Sequence, residues 1–340
     1  MLRTIWPKWL AAAAVLGMAV AVEVRAQSVA ELAPSQVLDL GKPTAAEKAP
    51  VVSSIALDPR GKLLVTAGDD HLARIWDARE GQLLRRLVGH RDWVRAVAFS
   101  PGGAVLATAG NDRSIYLWDV SGNSPARVLA EQVDGICALV FSPDGGLLAA
   151  GGFENRVRLY DAGSGHMIYA LDMPWGDVRA LAFSPDGKLV AAAGRGDRIR
   201  LWSTASGRTV HDLAGLRLRV NALAFSPDGD QLACGGDERS IRVWNVATGN
   251  AVTALGPRPG RIQSLAYCGP NRVAAGSSDN LVRVWDVATG KELARLVGHT
   301  GSVSALAWDA SAGVLISGSF DTTVRIWPLK LPATSVVSQR

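Results

Sequence analysis

The chain repeats itself with a period of 42 residues. The segments RIWD, YLWD, RLYD, RLWS, RVWN, RVWD and RIWP place an aromatic ring at Trp76, Trp118, Tyr160, Trp202, Trp244, Trp285 and Trp327, at steps of 42, 42, 42, 42, 41 and 42. A second landmark keeps the same register. AFSP, VFSPDG, AFSPDG and AFSPDG begin at Ala98, Val140, Ala182 and Ala224, with degenerate forms at Ala56, Ala266 and Ala307. Seven copies at so constant a spacing point to one four-stranded blade per copy and a seven-bladed, all-β propeller.

Each copy reads as four short strands. In the second copy they fall at 94–100, 105–109, 114–120 and 126–130, bounded by Pro-Gly-Gly, Gly-Asn-Asp and Ser-Gly-Asn. The Ser-Pro-Asp-Gly strings suit tight turns, since Pro fixes φ, Asp bonds its own backbone and Gly accepts positive φ. Ala96 and Ala98, Ala180 and Ala182, and Ala222 and Ala224 alternate with larger residues in the first strand of their copies. Period two puts these small side chains on one face, where blades converge on the axis.

Counted from residue 51, the last copy supplies only three strands. The apolar segment 36–40, isolated between Pro34 and Pro43, has the length of the missing one. It is expected to pair with the strand at 324–327 and close the ring, because an open edge would leave backbone donors and acceptors unpaired. The organisation expected is therefore a leader over 1–26, an arm over 27–50 that carries the closing strand, a propeller over 51–329 and a tail over 330–340.

The repeat resembles the WD-repeat family of β-propellers across residues 36–329. The resemblance implies a structural tetrad in each complete blade, made of a His, a Ser or Thr, an Asp and the repeat Trp. Two copies match in full: His90, Thr108, Asp112 and Trp118, and His299, Ser317, Asp321 and Trp327. Asp70 and Asp279 keep the acid, Glu154 and Glu238 replace it, and Gly196 lacks it. An Arg two residues before the aromatic recurs as Arg74, Arg158, Arg200, Arg242, Arg283 and Arg325, which marks a structural position spread around the ring and not a nucleic-acid stripe.

The resemblance also implies that one ring face binds proteins or peptides. Mapped onto this chain, that face carries Trp93, Arg95, Phe153, Trp175, Arg195, Arg219, Arg261 and Phe320, residue types enriched at binding hot spots. Arg217, Arg219, Arg258 and Arg261 gather on loops of the fifth and sixth copies, where an acidic protein or peptide is the expected partner. Trp93 and Trp175 have an alternative role, as covers over the core beneath their loops.

Little in the sequence suggests chemistry. The five His are scattered, the three Cys (Cys137, Cys234 and Cys268) are too few and odd for a disulfide framework, and no phosphate loop or metal signature occurs. The alternative function is a hydrolase or lactonase-like enzyme working in the central channel. Such a site needs convergent carboxylates or a metal, but the positions opening the first strands are Ser53, Arg95, Cys137, Arg179, Asn221, Gln263 and Ser304. The expectation is a monomeric, non-catalytic scaffold with no cofactor and no metal. A formal net charge of +5 on 340 residues is too mild to imply nucleic-acid binding.

The beginning of the chain has a different character. Arg3 and Lys8 precede a run without charge over 10–22, and Val24-Arg25-Ala26 places small residues before Gln27. This reads as a secretory leader, with the protein periplasmic or secreted and not inserted in a membrane once the leader is cleaved; the alternative is an uncleaved anchor. The run is shorter than the roughly 20 residues a membrane span requires.

Overall fold

A computed structural model describes residues 29–40, 49–256 and 259–329. The expected leader over 1–26, the expected tail over 330–340 and Arg258 lie outside the described residues. Every regular element among the described residues is a β-strand, and the strands form seven sheets arranged as the blades of a propeller. Blade two is representative. Val94–Phe99, Val105–Gly110, Ser114–Asp119 and Arg127–Glu131 make an antiparallel meander running from the axis to the rim.

Burial grades outward along each meander, and the sequence follows it. The second strands, such as Val105–Gly110 and Leu189–Gly194, are buried at every position but the first, because neighbouring blades cover both faces. They are accordingly apolar throughout and rich in Ala and Gly. The fourth strands, such as Thr209–Ala214 and Ala251–Leu255, bury a single Leu and expose most of the rest.

The core is not one mass but seven layers, one between each pair of neighbouring blades. Each repeat aromatic packs across such a layer onto the preceding blade. In the layer between blades five and six, Trp285 meets Ile241 and Val243 of the earlier blade. Near the axis the small Ala222 lets Ile262 and Leu265 of the next blade approach, as the alternation of Ala predicts.

Two devices shape the strands near the axis. The second strand of blade two ends at Gly110, where a Cβ would stand 2.1 Å from the Trp93 carbonyl oxygen; at Gly236 the distance to the Arg219 carbonyl is 2.0 Å. Only Gly permits so close a backbone approach. In blade six Ser277 holds this position and donates its hydroxyl to the Arg261 carbonyl at 3.0 Å. The second device is a β-bulge at the same place in all seven blades: pairing with the second strand skips residues 53, 95, 137, 179, 221, 263 and 304.

The ring closes as the strand count predicts. Gln36–Asp39 pairs antiparallel with Thr323–Pro328, Leu38 opposite Val324 and Gln36 opposite Ile326, and completes blade seven. Leu38 and Leu40 are buried against Val52, Trp76 and Ile326, in the layer between the last blade and the first. Ser304 adds a hydrogen bond across that seam, donating to the Val52 carbonyl.

The arm contains one strand that the sequence reading does not anticipate. Ala30–Leu32 runs parallel to Glu292–Leu296 and extends blade six to five strands. The Leu32 carbonyl accepts the Val297 amide at 3.0 Å, and its side chain joins the layer between blades six and seven. The arm thus crosses the rim of blade six before it fills blade seven.

Candidate functional site: the axial cavity and its ring face

The seven bulged residues all line a cavity on the propeller axis, of about 350 Å³. A bulge re-aims the side chain it displaces, and here it turns one residue per blade toward the axis. Some of them bind the ring together. Ser53 donates to the Val94 carbonyl of the next blade at 2.6 Å, and Asn221 reaches the Ile262 carbonyl at 3.1 Å. Arg95, Cys137 and Arg179 form a different group, on blades two, three and four.

Each arginine of this group is held through its Nε. Arg95 donates to the Asn111 side-chain carbonyl at 2.6 Å, and Arg179 to the Asp177 carboxylate at 2.8 Å. The Arg95 guanidinium lies 4.2 Å from the Trp93 ring centre and 5.8 Å from that of Phe153, and that of Arg179 lies 4.5 Å from the Phe153 ring centre. Arg179 Nη1 is also 3.6 Å from Cys137 Sγ. Burial pushes the Cys137 thiol above its ordinary pKa despite the two arginines. Phe320 of blade seven lines the same cavity and is exposed.

The other expected site residues are placed differently. Trp175 packs on the layer between blades three and four, with the Arg198 and Arg200 guanidinium groups 5.3 and 4.5 Å from its ring centre. It fits the covering role. Arg195 sits in a groove shared with Phe153 and Asp177, its amide bonded to Asp177 at 2.8 Å. On blades five and six, acids stand among the arginines. Arg261 is 3.9 Å from Asp237, and the Arg217 amide donates to Glu238. Arg219 is half-buried with no partner for its Nε among the described residues.

Sequence reading treats Cys137 and Arg179 only as channel positions. Their link to Arg95, Trp93 and Phe153 comes from the bulge, and the available signal is that the three stand one repeat apart.

The tetrads have the geometry of structural braces. Trp118 Nε1 donates to Thr108 Oγ1 at 2.8 Å, the hydroxyl meets His90 Nε2 at 2.7 Å, and His90 Nδ1 meets Asp112 at 2.8 Å. The set His299, Ser317, Asp321 and Trp327 repeats this with distances of 2.8, 2.7 and 2.8 Å. Since a carboxylate can only accept and an indole N–H can only donate, the tautomer that satisfies all three contacts gives Nδ1–H to the acid and lets Nε2 accept the hydrogen bond of the hydroxyl. Burial works to raise the Asp321 carboxyl, but hydrogen bonds from His299, the Thr323 hydroxyl and the Thr300 amide outweigh it and hold its pKa well below the usual range. Asp112 is lowered by the same balance. Both histidines are buried at the blade layers, away from the axial cavity.

Blades without the histidine satisfy the same position in other ways. Asp70, Glu154, Glu238 and Asp279 each pair with the Arg four residues on, Arg74, Arg158, Arg242 and Arg283. Gly196 leaves Arg200 without that acid, and Arg200 binds Asp212 of the outer strand at 2.6 and 2.7 Å. In blade three, Gln132 stands in for His and reaches the Tyr160 hydroxyl directly at 2.6 Å, while Ala150 replaces the bridging Thr. In these five blades the recurrent Arg is thus the counter-ion of an acid, whereas the Arg325 Nε of blade seven has no partner among the described residues. The described residues contain no group of three or more His, Cys, Asp or Glu arranged to hold a metal ion.

Seven four-stranded blades around an axial cavity, braced by repeat Trp residues and two tetrads, define a propeller of the repeat type. The family model for the WD domain, G-beta repeat, matches residues 41–77, 81–119, 123–161, 165–203, 207–245, 251–286 and 290–328, and the chain belongs to this WD40 family. Each matched segment takes the outer-strand region of one blade and the first three strands of the next, so the first match takes in the approach to blade one and the last ends on the strand that the arm completes. No curated protein matches the chain. Propellers of this family are in general scaffolds that bind proteins or peptides, and they are typically non-enzymatic.

Proposed function

We propose that the protein is an exported, non-catalytic scaffold that holds an acidic protein or peptide on the ring face carrying Trp93, Arg95, Phe153, Arg195, Arg217, Arg219, Arg261 and Phe320. The observation that carries this reading is the fixed array of Arg95, Arg179, Trp93 and Phe153 at the cavity mouth. Arginines held by aromatic faces and Nε bonds keep most of their remaining donors for a partner, and lose little freedom on binding. Arg217, Arg219 and Arg261 extend positive charge over blades five and six, where they would steer an acidic partner more than anchor it.

Export rests on residues 1–26, where a positive start, a short apolar run and small residues before Gln27 fit a cleaved leader. Amino-terminal sequencing of the protein from an envelope fraction should begin at Gln27.

The partner reading is tested by affinity capture with the mature protein and with a chain carrying Arg95→Glu, Arg217→Glu, Arg219→Glu and Arg261→Glu. Retention of an acidic protein by the native chain, lost on charge reversal and weakened by salt, is the expected result. Equal retention by a folded variant would remove the ring face from the account.

A further inference from the structure

Between blades two and four, the cavity mouth is more specific than a basic surface. Arg95 and Arg179 stand at equivalent bulges two repeats apart, their guanidinium groups 5.8 and 4.5 Å from the Phe153 ring centre. Asp177 compensates Arg179 at 2.8 Å. Among the described residues Arg95 has no carboxylate at ion-pair distance, only the neutral Asn111. Burial pulls the Arg95 pKa down and the charge of Arg179 adds to that, while Cys137 and Asp92 oppose them without restoring it. The other bulged positions on the cavity wall bear hydroxyl, amide or thiol groups and no carboxylate. The local balance is one half-buried positive charge without a carboxylate at ion-pair distance, facing a cavity of about 350 Å³, with Trp93 and Phe320 as apolar wall.

A surface arginine in this state would be neutralised by water and salt. Arg95 is partly withdrawn from both, and its orientation is set by the Asn111 bond and the Trp93 ring before any ligand arrives. The planar fork of a guanidinium matches a carboxylate, and a net charge of one suits a monoanion better than a phosphate dianion. We infer that this pocket binds a small organic monocarboxylate, its anionic head at Arg95 and its apolar body along Trp93 and Phe320. The site shares Arg95, Trp93 and Phe320 with the proposed partner face, but its occupancy is read with a small ligand alone, so either reading can fail without the other.

Calorimetric titration of the whole chain with benzoate, with its neutral isostere benzamide and with inorganic phosphate tests the assignment. Benzoate should give a saturable heat, benzamide and phosphate should bind at least tenfold more weakly, and Arg95→Gln should weaken benzoate at least tenfold. Arg127→Gln, at the rim, should leave benzoate binding unchanged. Cys137 gives a readout in the unaltered chain: benzoate should slow its modification by N-ethylmaleimide severalfold, while Cys234 and Cys268 are buried. Benzamide or phosphate binding as well as benzoate, undiminished benzoate binding in a folded Arg95→Gln chain, or unprotected Cys137 at saturating benzoate would each overturn the assignment.

Discussion

At the scale of the residue, two kinds of side chain do separate work: one braces the blades and the other faces the axis. Asp321 belongs to the first. Its carboxyl pKa is depressed below the usual 3.8 by the hydrogen bonds from His299, Thr323 and Thr300, so its contribution to stability is complete above that value and is lost as pH falls through the depressed one. Asp321→Asn should therefore lower the urea midpoint at pH 7 and flatten the loss of stability below pH 4, as followed by urea titrations across that range. An unchanged slope would mean that the brace carries no linked proton. The axial group is the part least legible in sequence. Trp93, Arg95, Phe153 and Phe320 can be placed on one face from register alone, but the partnership of Arg95 with Arg179 and Cys137 depends on a bulge, and a slipped pairing leaves no mark in an alternating pattern. Trp175 has the composition of a hot spot, yet it packs on a core layer beneath two guanidinium groups, and a loop Trp looks the same in sequence either way.

At the scale of the element, the arm contributes two strands of unequal weight. Gln36–Asp39 contributes the buried Leu38 and is followed by the buried Leu40, both in the seam between blades seven and one, whereas Ala30–Leu32 leaves two of its three residues exposed. Removing the chain through residue 33 should shift the melting temperature little. Removing it through residue 40 should lower it sharply, since losing one buried Leu alone costs about 2–5 kcal/mol. Similar melting of the two truncated chains would deny the closing strand its role. The difference also explains what the sequence reveals here. A count of strands against copies exposes a vacancy of one, and 36–40 has the apolar character to fill it. Three residues paired in parallel with another blade's rim have no periodicity to detect. The blades themselves are legible because aromatic residue, turn and strand recur together 42 residues apart, and each recurrence checks the others.

At the scale of the whole molecule, the blades share every core layer with a neighbour, so none holds a private core. Closure joins the last layer to the first, and the wheel should unfold as a unit. Leu38→Asp, at the seam, should shift the far-ultraviolet dichroism and tryptophan fluorescence transitions in urea together, although the repeat Trp residues are distributed around the wheel; transitions that separate would show blades melting independently. The Ser35 amide bonds the Ile326 carbonyl at 2.8 Å across a sequence separation of 291 residues. Synthesis proceeds from the amino terminus, so the segment around Leu38 is among the first parts made and its partner among the last. It must wait, bare-edged and apolar on one side, while six blades are assembled behind it. A nascent chain stopped before residue 323 carries a latch with no catch, and such a fragment would be a target for chaperones and proteases, which makes the final strand a checkpoint on whether the molecule has been made in full.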